Sequence, residues 1–180
     1  MKKPELLAPA GNLTKLKIAL AYGADAVYAS TGSFSLRQRS AKEFSKESFA
    51  QGVAYAHERG KKLYATVNGF ATNGQLGNIE RHLEFLRDLR VDGILIATLG
   101  VANLARAVAP QIPIHVSTQA NVLNYLDAQV WAELGAVRIV AAREMTLKDA
   151  VEIKEKIPNL EIEIFVHGSM CFAYSGRCLV

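Results

Sequence analysis

LRVDGILIAT (89–98) sets a turn residue directly before an apolar run, as a helix C-cap does when it hands the chain to a buried parallel strand. YGADAVY (22–28) and LGAVRIV (134–140) follow the same grammar, which makes a weak internal repeat. Outward from these three stretches, short β-branched or aliphatic runs alternate with amphipathic segments along the whole chain. The strand candidates are ELLA (5–8), AVYAS (26–30), KLYATVN (62–68), GILIAT (93–98), IHVST (114–118), RIVAA (138–142) and EIEIFVH (161–167). Between them the spacing predicts helices near 12–22, 46–59, 76–89, 100–108, 121–134 and 146–156. Ser45 before KESF and Thr146 before LKDA put short oxygen side chains where the unpaired N–H groups of a helix start need acceptors.

Seven strands in order with helices between them predict an α/β fold of the (β/α)8, TIM-barrel-like class. It is incomplete here, because that fold takes about 250 residues and an eighth unit. A doubly wound parallel sheet shares the βα signature and is the alternative. Residues 1–180 are expected to be the N-terminal part of one TIM-barrel-like domain, ending in the apolar Cys178-Leu-Val without a polar tail.

Half of the residues are hydrophobic and 21% are charged, so a sizeable core is available. No apolar run approaches the ~18 residues of a membrane span, and the opening MKKPELLAPAG meets proline before a signal-peptide core develops. A cytoplasmic protein without a membrane partner is expected. Thiols stay reduced there, so Cys171 and Cys178 read as buried bystanders, metal ligands or redox groups rather than a disulfide. The net charge of +4 permits an anionic partner such as nucleic acid without requiring one.

Parallel α/β folds gather their chemistry at the C-terminal ends of the strands. Those ends carry Asn68, Thr98, Ser117, Thr118, Gln119, Arg143, Glu144 and His167, a polar ring whose members must satisfy one another or a ligand. Arg143 and Glu144 read either as a salt bridge over the barrel top or as general acid/base groups. His115 reads as a structural histidine within a strand, and His57 and His82 as surface groups on helices. In the loop FSLRQRSAKEFS (34–45), Arg37 and Arg39 alternate with polar residues, a pattern suited to bidentate contacts with phosphate or carboxylate and equally to a solvated basic loop.

The last segment, HGSMCFAYSGRC (167–178), holds both cysteines seven positions apart, two helical turns if the loop is helical. That spacing is neither a zinc ribbon nor a C-x-x-C redox motif, and two thiolates make half of a tetrahedral site. Spacing alone leaves an inert thiol pair and a metal site both open.

FVHGSMCFAYSGRC, the opening PELLAPAGN, YGADAVY, and STQANVLN after the fifth strand together resemble the collagenase-like peptidase family, peptidase U32, over the entire chain. PELLAPAG, FSLRQR and EIEIFVHGSM look most like the branch that hydroxylates the wobble uridine of transfer RNA. The resemblance implies a 4Fe-4S cluster held by four cysteines, of which Cys171 and Cys178 are the first two and the others lie beyond Val180. It implies prephenate as the source of the hydroxyl oxygen, with transfer RNA, a small carboxylate co-substrate and a redox partner as the molecules bound. On that reading Arg37, Arg39 and Arg177 contact phosphate or carboxylate, Asn68 and Gln119 line the substrate pocket, and Glu144 and His167 are the catalytic candidates. The family name also implies a peptidase, although no Cys/His or Ser/His nucleophile arrangement is legible in the residues. A non-catalytic module that binds RNA or a partner through the basic loop is the third expectation.

Overall fold

A computed structural model describes residues 3–31, 34, 35 and 44–177. Its strands are β1 (Leu7–Pro9), β2 (Ala26–Ala29), β3 (Lys62–Val67), β4 (Gly93–Ile96), β5 (Ile114–Val116), β6 (Ala136–Val140) and β7 (Glu161–Glu163). The helices between them are α1 (Leu13–Ala21), α2 (Lys46–His57), α3 (Leu76–Asp88), α4 (Leu99–Val108), α5 (Tyr125–Glu133) and α6 (Leu147–Lys156). Every strand pairs in parallel with the next in chain order, so the sheet runs β1 to β7 without a crossover. A doubly wound sheet reverses its strand order at a switch point, and this one never reverses. The sheet curls instead, as an incomplete TIM-like barrel with β1 and β7 at its edges.

Strand alternation divides the side chains between two faces. Leu63, Ala65 and Val67 of β3, Ile94 and Ile96 of β4, and Ile139 of β6 pack outward against Leu16, Phe49, Val53, Leu83, Leu86, Val101 and Ile153 of the helices. Ala26, Tyr64, Leu95 and Val140 meet on the concave face, with Leu7 and Tyr28 against them. Burial on both faces is why GILI, unlike a half-exposed strand, reads as a continuous apolar run.

The helix starts obey local chemistry. The side chains of Asn12, Ser45, Asn124 and Thr146 each accept a backbone N–H from the first turn. At the helix ends Gly23 and Gly135 take positive φ (102° and 90°), as their motifs predict. The third motif differs: Arg90 takes the left-handed turn, and Gly93 instead makes room. A Cβ on Gly93 would lie 2.9 Å from the ring of His115.

The N-terminal end of the concave face is closed by charge. Arg138 donates to Glu161 (2.6 and 2.8 Å), to Glu5 (3.0 Å) and to Glu163 (3.5 Å). Glu5 also accepts from Lys62 Nζ and from the Tyr64 hydroxyl, both at 2.7 Å. Burial pushes the pKa of Glu163 up despite Arg138, and raises that of Tyr64 well above its ordinary value. Burial acts the same way on Glu5, yet the bonds from Lys62, Tyr64 and Arg138 outweigh it and hold that carboxyl low. In TIM-type barrels this end serves stability rather than chemistry.

Three expectations need correction. His82 is not a surface group: it is buried on α3 between Phe34 and Phe85, and burial pushes its pKa down to about 4. β7 stops at Glu163, four residues short of His167, because β6 ends at Val140 and the last hydrogen bond to it runs from the Ala141 N–H to the Glu163 carbonyl. The helix expected over 121–134 starts only at Tyr125, since Asn121 is left-handed (φ 54°) behind a short 3-10 turn.

Candidate functional site

The C-terminal ends of the strands are bridged by side chains that read separately in the sequence. Asn68, just past β3, donates from Nδ2 to Ser117 Oγ (3.1 Å). Ser117 Oγ also accepts the Gln119 N–H (3.3 Å), and the Thr118 hydroxyl donates to the Ala141 carbonyl (3.2 Å), tying the end of β5 to the end of β6. Thr98 stands at the N-cap of α4 without a side-chain capping bond. Below this layer His115 is buried against Tyr64, ring centroids 4.6 Å apart, and its Nδ1 has no hydrogen-bond partner. Burial, with help from the positive charge of Arg138, lowers its pKa to about 3 and keeps the ring neutral.

After β7 the chain leaves the sheet, and residues 164–172 are exposed. It then returns over the barrel end. The Arg143 backbone N–H donates to Ser175 Oγ (3.1 Å), the Ser175 N–H donates to Glu144 Oε1 (3.0 Å), and the Arg143 guanidinium donates to the Ala173 carbonyl. The expected Arg143–Glu144 salt bridge is thus absent from the ion pairs of the described residues: adjacency in sequence suggested a pair, and both side chains reach the incoming loop instead. Burial pushes the Glu144 pKa up, but the bond from Ser175 and the other local hydrogen bonds prevail and hold the carboxyl low. Ser175 is fully buried. Gly176, at φ 75°, lies so near the 3-10 turn that a Cβ would come within 2.8 Å of the Gln119 carbonyl and 3.1 Å of Asn121 Cβ. Asn121 Oδ1 is buried there without a hydrogen-bond partner.

Among the sequence candidates, Asn68, Gln119, Glu144 and Arg177 all lie at this end of the barrel, with Arg177 exposed on the returning loop. His167 and Cys171 are exposed on the stretch before that loop, and no hydrogen bond among the described residues joins them. Arg37, Arg39 and Cys178 lie outside the described residues. Sequence reasoning did not pick out Ser175, whose flanking residues YSGR were the available signal. Cys171 brings an exposed sulfur donor, suited as a thiolate to iron or zinc. Among the described residues no three His, Cys, Asp or Glu side chains converge as a metal site. Cys171, on the exposed stretch before the docked loop, fits one corner of a sulfur-ligated centre, and the described residues do not make a complete His/carboxylate centre.

The family model for peptidase family U32 matches residues 11–180. The chain is 61% identical over 180 residues to tRNA hydroxylation protein P of Helicobacter pylori, covering all of this chain and 43% of that one. It is 47% identical over 179 residues to tRNA hydroxylation protein P1 of Bacillus subtilis, covering 99% of this chain and 42% of that one. The chain therefore spans less than half the length of these relatives. Among solved structures, the U32 peptidase Mk0906 superposes with a TM-score of 0.73 at 17% identity over 91% of this chain and 70% of that one, a likeness of fold.

Proposed function

The chain belongs to peptidase family U32, and on that premise we propose that the whole protein takes part in oxygen-independent hydroxylation of the wobble uridine of transfer RNA, with prephenate as the oxygen source. The names of the two relatives support the transfer-RNA reading. The observation that carries the site is the loop after β7. It is anchored over the strand ends by Arg143, Glu144 and Ser175, and it carries Cys171. Anchoring at residues 173–175 supports the reading that the cysteine segment serves the end where parallel barrels do their chemistry.

Cys171 and Cys178 are the residues that would hold an iron–sulfur cluster, with two further cysteines from elsewhere in the whole protein. When bound, the cluster supplies electron-transfer or activating chemistry. Replacing a ring C–H by C–OH removes two electrons from the base. If the oxygen arrives at the oxidation level of water, a redox partner must accept them. The chain's own residues bind and orient: Asn68 and Gln119 line the barrel mouth, and Arg177 stands on the loop rim where a phosphate or carboxylate can be met. Arg37 and Arg39 are assigned the same anion contacts from their sequence pattern. Glu144 is engaged with the Ser175 N–H, which suits a carboxylate holding a loop better than one exchanging protons.

The test uses full-length protein purified without oxygen. Iron and sulfide should be present together, and Cys171→Ala or Cys178→Ala should remove them along with the hydroxylated uridine seen by mass spectrometry of transfer-RNA nucleosides. Retention of both by the two variants overturns the ligand assignment. Peptide cleavage that persists without iron would favour the peptidase named in the family. Salt-sensitive RNA binding with modification unaffected by the cysteine changes would favour a binding module.

A further inference from the structure

We propose that Arg143 and Glu144 are positioning residues that clamp the loop 173–177 to the barrel end and thereby set where Cys171 stands for metal ligation. The ligation half of this proposal rests on the cluster reading above; the clamp itself does not. Three bonds arise from two consecutive residues, and each uses a different group: the Arg143 guanidinium on the Ala173 carbonyl, the Arg143 main-chain N–H on Ser175 Oγ, and the Glu144 carboxylate on the Ser175 N–H. Ser175 therefore both donates and accepts, and it is fully buried. Removing the carboxylate takes away the acceptor that this main-chain N–H has in the folded loop. From the other side Gly176 seats the loop on the Gln119–Asn121 turn, with no space for a side chain. The Arg177 N–H closes the turn on the Tyr174 carbonyl at 2.9 Å.

The contrast with the preceding stretch gives the clamp its meaning. Val166, Met170, Cys171 and Phe172 are exposed, so the loop is fixed at residues 173–176 while the thiol stays open. Cys171 is two residues upstream of the clamped Ala173 carbonyl. A metal ligand must be held close to its productive geometry by groups outside the ligand shell, and loss of such support typically costs about 10–100-fold in metal affinity.

Amide hydrogen exchange and iron retention on the full-length protein test the two halves separately. Glu144→Ala should speed exchange at residues 173–177 by about tenfold or more, with exchange in the strands and the thermal midpoint held near wild type. The same variant should release iron to a chelator about tenfold faster or more. Glu144→Gln, whose amide oxygen still accepts from the Ser175 N–H, should restore both readouts. Arg143→Ala should repeat the loosening in a second protein, should Glu144→Ala fold poorly. Unchanged exchange at Ser175 overturns the clamp. Faster exchange with iron released at the wild-type rate overturns its role toward Cys171. Wild-type protein without iron or sulfide overturns the cofactor reading and the ligation half with it, while the exchange data still decide the clamp.

Discussion

Gly93 shows how much one hydrogen atom can decide. Its absent side chain leaves the space that the buried rings of His115 and Tyr64 occupy, with a Cβ placed 2.9 Å from two ring atoms of His115 and 3.1 Å from Tyr64. Neither ring is a flexible tip that can swing aside, so Gly93→Ala should destabilise the protein by about 1–3 kcal/mol in urea unfolding. His115→Ala in the same background should recover part of that loss, a coupling that independent sites would not show. His82 makes a pH prediction. Burial depresses its folded pKa from 6.5 to about 4, so the fold holds it neutral. Below pH 6.5 the unfolded chain binds a proton that the folded chain refuses. Its contribution is therefore complete above pH 6.5 and drains as pH falls toward about 4, by about 2 kcal/mol at pH 5. His82→Phe keeps a ring between Phe34 and Phe85 and should flatten that part of the stability profile between pH 8 and pH 5.

Helix α6 illustrates what an element needs from its ends. Thr146 accepts the Asp149 N–H at 3.2 Å while Asp149 accepts the Thr146 N–H at 3.0 Å, so two otherwise orphaned donors are satisfied reciprocally. Thr146→Ala should cost about 1 kcal/mol and Thr146→Ser much less, as thermal melts of the two variants can show. These caps were legible in the sequence because capping is local: Ser45 and Thr146 stand next to the helices they start. Strand identity was equally legible, since each apolar run is bounded by its own turn residue. The lengths of β7 and α5 were not. EIEIFVH alternates like a strand to its end, but a strand lasts only as long as its neighbour, and β6 offers its last bond at Ala141. Gln119–Asn121 looks like the approach to a helix, yet Asn121 adopts a left-handed backbone that the motif YSGR, 53 to 56 residues further on, packs against through Gly176.

At the scale of the whole molecule, what escaped the sequence is what curvature brings together. Arg138 and Glu5 are 133 residues apart in the chain and 3.0 Å apart in space. Read singly, Glu5, Lys62, Arg138 and Glu161 are charged residues at strand starts, where exposure is the ordinary expectation. Only a sheet that curls toward closure makes them one network, as only the return of the chain over the barrel end gives Arg143 and Glu144 a shared partner. The network ties β6 and β7 to the chain entering β1, so it spans the gap between the sheet's two edges. Arg138→Met would keep much of the volume but leave Glu5, Glu161 and Glu163 facing one another with Lys62 as the remaining cation bonded to Glu5. Removing one partner from a fully buried ion pair costs about 3–5 kcal/mol, and because the Glu161 and Lys62 side chains are 58% and 52% exposed, solvent screening brings the cost here to about 1–3 kcal/mol. The pH dependence has a definite sign. In the variant Glu5 and Glu163 lose the guanidinium that favoured their charged forms, so their pKa values rise and acid relieves the repulsion. The stability deficit against wild type should therefore be greatest near pH 7 and shrink toward pH 5, as urea unfolding of both proteins at the two values can measure. A deficit that stays constant across this range would mean that Arg138 contributes through its guanidinium on the Tyr64 ring, whose centroid lies 5.0 Å from the guanidinium carbon, rather than through the carboxylates.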